Sequence, residues 1–214
     1  PREDRERDTI AFRALGLLGP DDDVAELQLR LLGDQVLGFY DDVDRRMVVV
    51  SDAGLSPEAR MTYAHEYTHA LQDAAFDLAS LDIDEPGEDD RALARTALVE
   101  GDASVVMLAW AFANLTQAEL LEVGLGATMP DVTGIPSWMV AQVNFPYDQG
   151  LSWASALVGN PLDEPDFGDI DAAFAEPPDS TEQIIHLAKW RSREAPIPVA
   201  ATPAAPVPLH IRNA

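Results

Sequence analysis

Cysteine is absent from this 214-residue chain. That excludes a disulfide framework, a thiolate metal site and a cysteine nucleophile. Lysine occurs once, at Lys189, and together with thirteen arginines it faces 38 acidic residues, for a formal net charge of -24. A field of that sign repels phosphate backbones and anionic membrane surfaces, so it argues against nucleic acid as a partner. No unbroken apolar run approaches the roughly 18 residues of a membrane span, and no secretory signal is present. The chain opens at Pro1 without a methionine. We therefore expect a processed form whose targeting segment is missing, in an extracytoplasmic setting, secreted or membrane-anchored, ahead of a cytoplasmic one. Histidine is scarce, with four in the whole chain.

What is present is sufficient for a core. Hydrophobic residues make up 47% of the chain, which suits one domain or two small lobes sharing an interior. Residues 1–34 read as two short helices around "GLLGPDDD", ended by Gly19 and Pro20 and restarted by capping aspartates. "QVLGFYDDVDRRMVVVSD" reads as a β-hairpin with arms at 36–40 and 47–51, because β-branched and aromatic residues flank a polar turn. Ser56 followed by Pro57 predicts a helix over 56–76. Beyond an acidic loop, 90–115 is apolar nearly all round, the pattern of a helix buried on most sides. "TQAE" at 116–119 is a capping box. A helix bent near Pro146 is expected over 136–158, followed by short helices in "DIDAAFAEPP" and "STEQIIHLAKW", the latter with a capping box from Ser180 to Gln183. The proline- and alanine-rich end reads as a tail. Trp110, Phe112 and Trp138 fit core positions. The acidic loop "DIDEPGEDD" lacks the spacing of a calcium loop and reads as solvated.

Two of the four histidines stand in "YAHEYTHALQD", His65 and His69, with Glu66 between them. Residues four apart lie on one helical face, so both imidazoles can reach a single ion. Two neutral imidazoles with an intervening carboxylate suit zinc and a general base that takes a proton from zinc-bound water. A catalytic zinc needs a third protein ligand. Glu100 in "ALVEGDA" is the expected donor, being the first carboxylate after an apolar run on the most buried helix. Asp102 is its rival, although two positions along a helix points it elsewhere, toward a supporting place near the site.

"HEYTH" followed by a helix bearing "EGDA" resembles the gluzincins, the metallopeptidase group that includes thermolysin, and more closely its compact bacterial members. The resemblance spans roughly 35–187. It implies an α+β, mostly helical, zincin-like fold, with a small upper sheet or hairpin lobe, a helical lower lobe and an active-site cleft between. Domain bounds follow as 1–34 for an N-terminal helical segment, 35–190 for the catalytic domain and 191–214 for the tail. Members of the family carry an aspartate four residues after the ligand glutamate, where it supports a zinc histidine. This chain has Ser104 there, and the interval from His69 to Glu100 is longer than theirs.

The resemblance implies one catalytic Zn2+ on His65, His69 and Glu100, with Glu66 as general base in the hydrolysis of a peptide or protein substrate. It also implies an oxyanion donor downstream, for which Tyr147 and His186 are the two candidates. An edge strand should pair with the substrate's main chain, and Met47, Val48, Val49 and Val50 are expected to supply it. The chain is taken as a monomer. Two other readings fit the same residues. One is a zincin-like binding or scaffold module without catalysis, against which the retained Glu66 argues. The other is a metal-dependent hydrolase of a non-peptide amide or ester.

Overall fold

Ser56 starts the helix that organises the molecule. Its hydroxyl accepts from the Ala59 amide at 3.1 Å and Pro57 occupies the first turn, so free amides are satisfied where no proline amide is needed. The helix, α3, is Pro57–Phe76, and it ends where Asp77 turns left-handed (φ 57°). The structure is a computed structural model that describes residues 2–33, 38–50, 54–83, 85, 87–126, 131–160 and 165–198. Val36 and Ser51 of the expected hairpin arms, Asp84 and Pro86 of the acidic loop, and the tail from residue 199 lie outside the described residues.

Before α3 come α1 (Arg2–Ala14), α2 (Val24–Gly33), β1 (Gly38–Asp41) and β2 (Arg46–Val49). After it come α4 (Asp89–Asn114), α5 (Gln117–Gly126), α6 (Ser137–Val158), α7 (Gly168–Ala175), α8 (Thr181–Ile185) and α9 (Leu187–Arg191). The fold is therefore α+β and mostly helical, and its described sheet is one antiparallel hairpin with Gly38 opposite Val49 and Asp41 opposite Arg46. The first helix stops earlier than Gly19, with Gly16 left-handed two residues beyond it. Asp23 caps α2 by accepting from the amides of Ala25 and Glu26.

Helix α4 lies at the centre and packs chiefly against α6 and α3. Its most apolar 18-residue window has a mean hydropathy of 1.3, which by length and composition could cross a membrane, yet half of that window is buried inside the fold. Gly101 and Gly150 permit the crossing with α6. A Cβ on Gly101 would stand 2.3 Å from the Gly150 carbonyl oxygen, and one on Gly150 would stand 2.3 Å from that of Ala97. Around this contact Leu98, Val105, Trp153, Ile170, Phe174 and Trp190 form the main core. A second cluster, built on Leu18, Val24, Leu27, Leu31 and Met139, fastens α1 and α2 to α6, with Phe12 against Trp138 at 5.0 Å.

Three local expectations are corrected. Phe112 is 54% exposed while Ala111 and Leu115 beside it are buried, so the last turns of α4 are covered on one side only. Ser180 makes no cap hydrogen bond; Asp90 of α4 accepts from the Thr181 amide and hydroxyl instead. The segment after it is two five-residue helices that meet at His186. Pro146, by contrast, sits inside an α6 that runs through it.

Candidate metal centre

The i, i+4 spacing on α3 brings the two imidazoles together. The His65 and His69 Nε2 atoms stand 3.1 Å apart, with the rings nearly perpendicular at 4.7 Å. Glu100 reaches them from α4, its Oε2 lying 3.0 Å from His65 Nε2 and 3.5 Å from His69 Nε2. All three side chains are mostly buried, at 13%, 11% and 17% exposure. Arg95, five residues before Glu100 on α4, turns to the Leu81 carbonyl and Asp179. Among the described residues this is the one cluster whose ligand atoms could hold a metal ion, all within 4.8 Å of one another.

The donor set fits zinc in kind and in size. Two imidazoles and a carboxylate are borderline and hard donors of the sort zinc takes. Ligand atoms of a tetrahedral zinc with bonds of about 2.0–2.1 Å lie about 3.3 Å from each other. The observed triangle, with sides of 3.0, 3.1 and 3.5 Å, brackets that separation.

Electrostatics hold the triad ready. Burial alone would raise the Glu100 carboxyl, but hydrogen bonds and charge from His65 and His69 more than offset it and hold it at about 2. Burial works to lower the His69 imidazole, yet the bonds and charge from Glu100, with help from Gln72 and Glu66, leave it raised. Glu66 faces the same space. Burial pushes its carboxyl up, with Glu100 adding to the effect, while the two histidines and the backbone N–H of Tyr40 oppose it.

That Tyr40 amide also fixes how the hairpin sits. Tyr40 faces Met47 across the ladder, but its N–H is directed to Glu66, and in an antiparallel strand a residue's N–H and C=O point to the same side. The edge of β1 away from β2 therefore borders Glu66. Gly38 lies against α3 so closely that a Cβ would come 2.7 Å from Thr62 Cγ2 and 3.2 Å from Glu66 Cγ. Met47, Val48 and Val49 lie in β2, across β1 from Glu66, and Val50 follows the end of that strand.

Tyr147 of α6 comes to the cluster: its ring centroid is 6.5 Å from that of His65, and Glu100 is near enough to act on its hydroxyl. Burial, then the negative charges of Glu100 and Glu66, raise its pKa, so the phenol stays a hydrogen-bond donor. His186 is placed differently. It is exposed at the α8–α9 junction, and no contact with the cluster is found for it among the described residues.

Gln72 is the residue of the candidate site that motif reading missed. It lies one turn beyond His69 and is 2% exposed. Its Oε1 stands 2.9 Å from His69 Nδ1, while its Nε2 donates to Asp102 Oδ2 at 2.8 Å and the Val99 carbonyl at 3.0 Å. With Oε1 as acceptor, His69 carries its proton on Nδ1 and turns the lone pair of Nε2 toward Glu100 and His65. Asp102, expected near the site, anchors this chain of bonds from α4, and burial raises its carboxyl. The signal was available in the i, i+3 spacing of a buried amide after the second histidine.

Comparison of the chain with protein families, with curated proteins and with solved structures finds no match.

Proposed function

We propose that the chain is a zinc-dependent metallopeptidase of gluzincin type with a zincin-like arrangement. One observation carries this reading: His65 Nε2, His69 Nε2 and Glu100 Oε2 converge within 3.0–3.5 Å beside a buried Glu66 that pairs with no arginine or lysine among the described residues. Zinc held by the three would polarise a substrate carbonyl and bring the pKa of a water toward neutrality.

The chain's own residues supply the rest. Glu66, its carboxyl raised by burial, takes a proton from the attacking water and returns it to the amine nitrogen as the C–N bond breaks. The Tyr40 amide favours the charged form of that carboxylate. Tyr147 is positioned to offer its hydroxyl to the oxyanion formed at the carbonyl. The main-chain edge bordering Glu66 is that of β1, so an extended substrate would be met by the Gly38 and Tyr40 carbonyls rather than by β2.

Hydrolysis of a non-peptide amide or ester would use the same groups. A module without catalysis would have no need of a desolvated carboxylate beside the ligands. The test joins elemental analysis with cleavage of a peptide library. Wild type should hold about one zinc per chain, Glu100→Ala should lose it, and Glu66→Gln should keep zinc while cleavage falls about 100-fold or more. Wild type that takes up no zinc after loading would end the proposal.

A further inference from the structure

A cavity of about 510 Å³ opens beside the metal centre, between the N-terminal helices and the groove of α4 and α6. Its walls share residues with the centre's own framework. On α4 they include Asp89, Leu93 and Thr96, which lie on the face that one turn later carries Glu100. On α6 they include Met139, Val143 and Tyr147, so the cavity ends at the tyrosine whose ring lies 6.5 Å from that of His65.

The lining is aromatic and apolar below and acidic at the mouth. Phe12 and Trp138 form a tilted pair with centroids 5.0 Å apart, and the exposed carboxylates of Asp8 and Asp89 complete the rim. Among the described residues no arginine or lysine lines the cavity. Some surface carboxylates are paired, Glu85 and Glu88 with Arg91, Glu119 with Arg60, Glu176 with Arg193. Asp8 and Asp89 have no such partner among the described residues. An aromatic floor under two unpaired carboxylates suits a side chain with an aliphatic stem and a cationic end.

Resting on the peptidase reading, we propose that this cavity is a distal subsite for an arginine or lysine side chain of the substrate. Eleven residues of α4 separate Asp89 from Glu100, about 16 Å along the axis. An extended chain advances about 3.3 Å per residue, so the cation belongs about three residues from the bond cleaved, the side chain spanning the remainder. Binding energy gathered there, away from the reacting carbonyl, serves to hold the peptide in the cleft.

The test uses the full chain loaded with zinc and labelled with ¹⁵N, read at the Trp138 indole N–H, which is assigned by Trp138→Phe. The probes are N-acetyl-arginine methylamide and its norleucine and glutamate counterparts. The arginine probe should shift the Trp138 signal saturably, and the norleucine and glutamate probes should bind at least about fivefold more weakly. Asp89→Asn and Asp8→Asn should each weaken the arginine probe by a similar factor. Norleucine binding as well as arginine, or a Trp138 signal that no probe moves, overturns the subsite, and both comparisons are made in wild type. A peptide library supplies the second arm. Cleavage without a basic preference removes the subsite and leaves the peptidase reading. Arginine binding with no peptide cleaved keeps the cation pocket and removes the peptidase reading.

Discussion

At the scale of the residue, the proposed centre depends on groups outside its three candidate ligands. Gln72 passes a hydrogen bond from Asp102 and the Val99 carbonyl to His69, and outer partners of this kind are worth about 10–100-fold in metal affinity. Gln72→Leu, which keeps the volume, should weaken zinc binding by that factor in competition with a chelator, with the helical circular dichroism unchanged. Equal affinity in the variant would show that the amide only fills space. Protonation gives an independent prediction with a definite sign. The raised His69 stabilises the metal-free fold fully below its ordinary 6.5 and ceases to do so as pH rises through its folded value. The lowered Glu100 stabilises it above about 4.5, and that contribution is lost as pH falls toward about 2. Zinc needs the neutral imidazole, so its binding runs the other way. Between pH 6 and 8 the melting temperature of the metal-free protein should fall while the rise produced by added zinc grows, as thermal scans with and without chelator would report. A zinc-induced rise that shrinks over that interval would contradict the assignment of His69 as a ligand.

At the scale of the element, the position of Glu100 is set one residue away, at Gly101. The Gly101–Gly150 contact lets α4 and α6 approach until their backbones touch, and a Cβ there meets main-chain atoms that cannot rotate aside. Gly101→Ala should cost about 3 kcal/mol of stability in denaturant unfolding and should weaken zinc binding as well, because the displaced helix carries the ligand. A fully stable Gly101→Ala would mean that the crossing has slack. The start of α3 is simpler: loss of the Ser56 cap in Ser56→Ala should cost about 1 kcal/mol, with zinc affinity nearly intact, since His65 lies more than two turns inside the helix.

At the scale of the whole molecule, a net charge of -24 is spread over a surface whose few cations are largely engaged in pairs. Self-repulsion of that size destabilises the compact state and is screened by salt. The melting temperature should rise by several degrees between about 10 and 500 mM sodium chloride; a fall would point to the surface ion pairs outweighing the repulsion. Much of this architecture was legible in the chain itself. The Ser-Pro start of α3, the apolar run of α4, the Thr116–Glu119 capping box and the i, i+4 pair of histidines are local signals, carried by residues within a turn or two of each other, and a one-dimensional pattern can hold them. The capping box at Ser180 failed: Gln183 Oε1 accepts from the Asp179 amide instead, and the start of the helix is tied by Thr181 to Asp90, 91 residues away. The break at His186 and the exposure of Phe112 likewise depend on what packs nearby. By itself, then, the sequence determined the helices, the absence of thiol chemistry, the acidity and the pairing of His65 with His69, since each follows from composition or short spacing. Only the tertiary structure decided that Glu100 and Tyr147 meet those histidines, that Gln72 ties them to Asp102, and that β1 borders Glu66. Those contacts join residues tens of positions apart, and the packing of α3, α4, α6 and β1 on one another that brings them together is encoded by no local pattern.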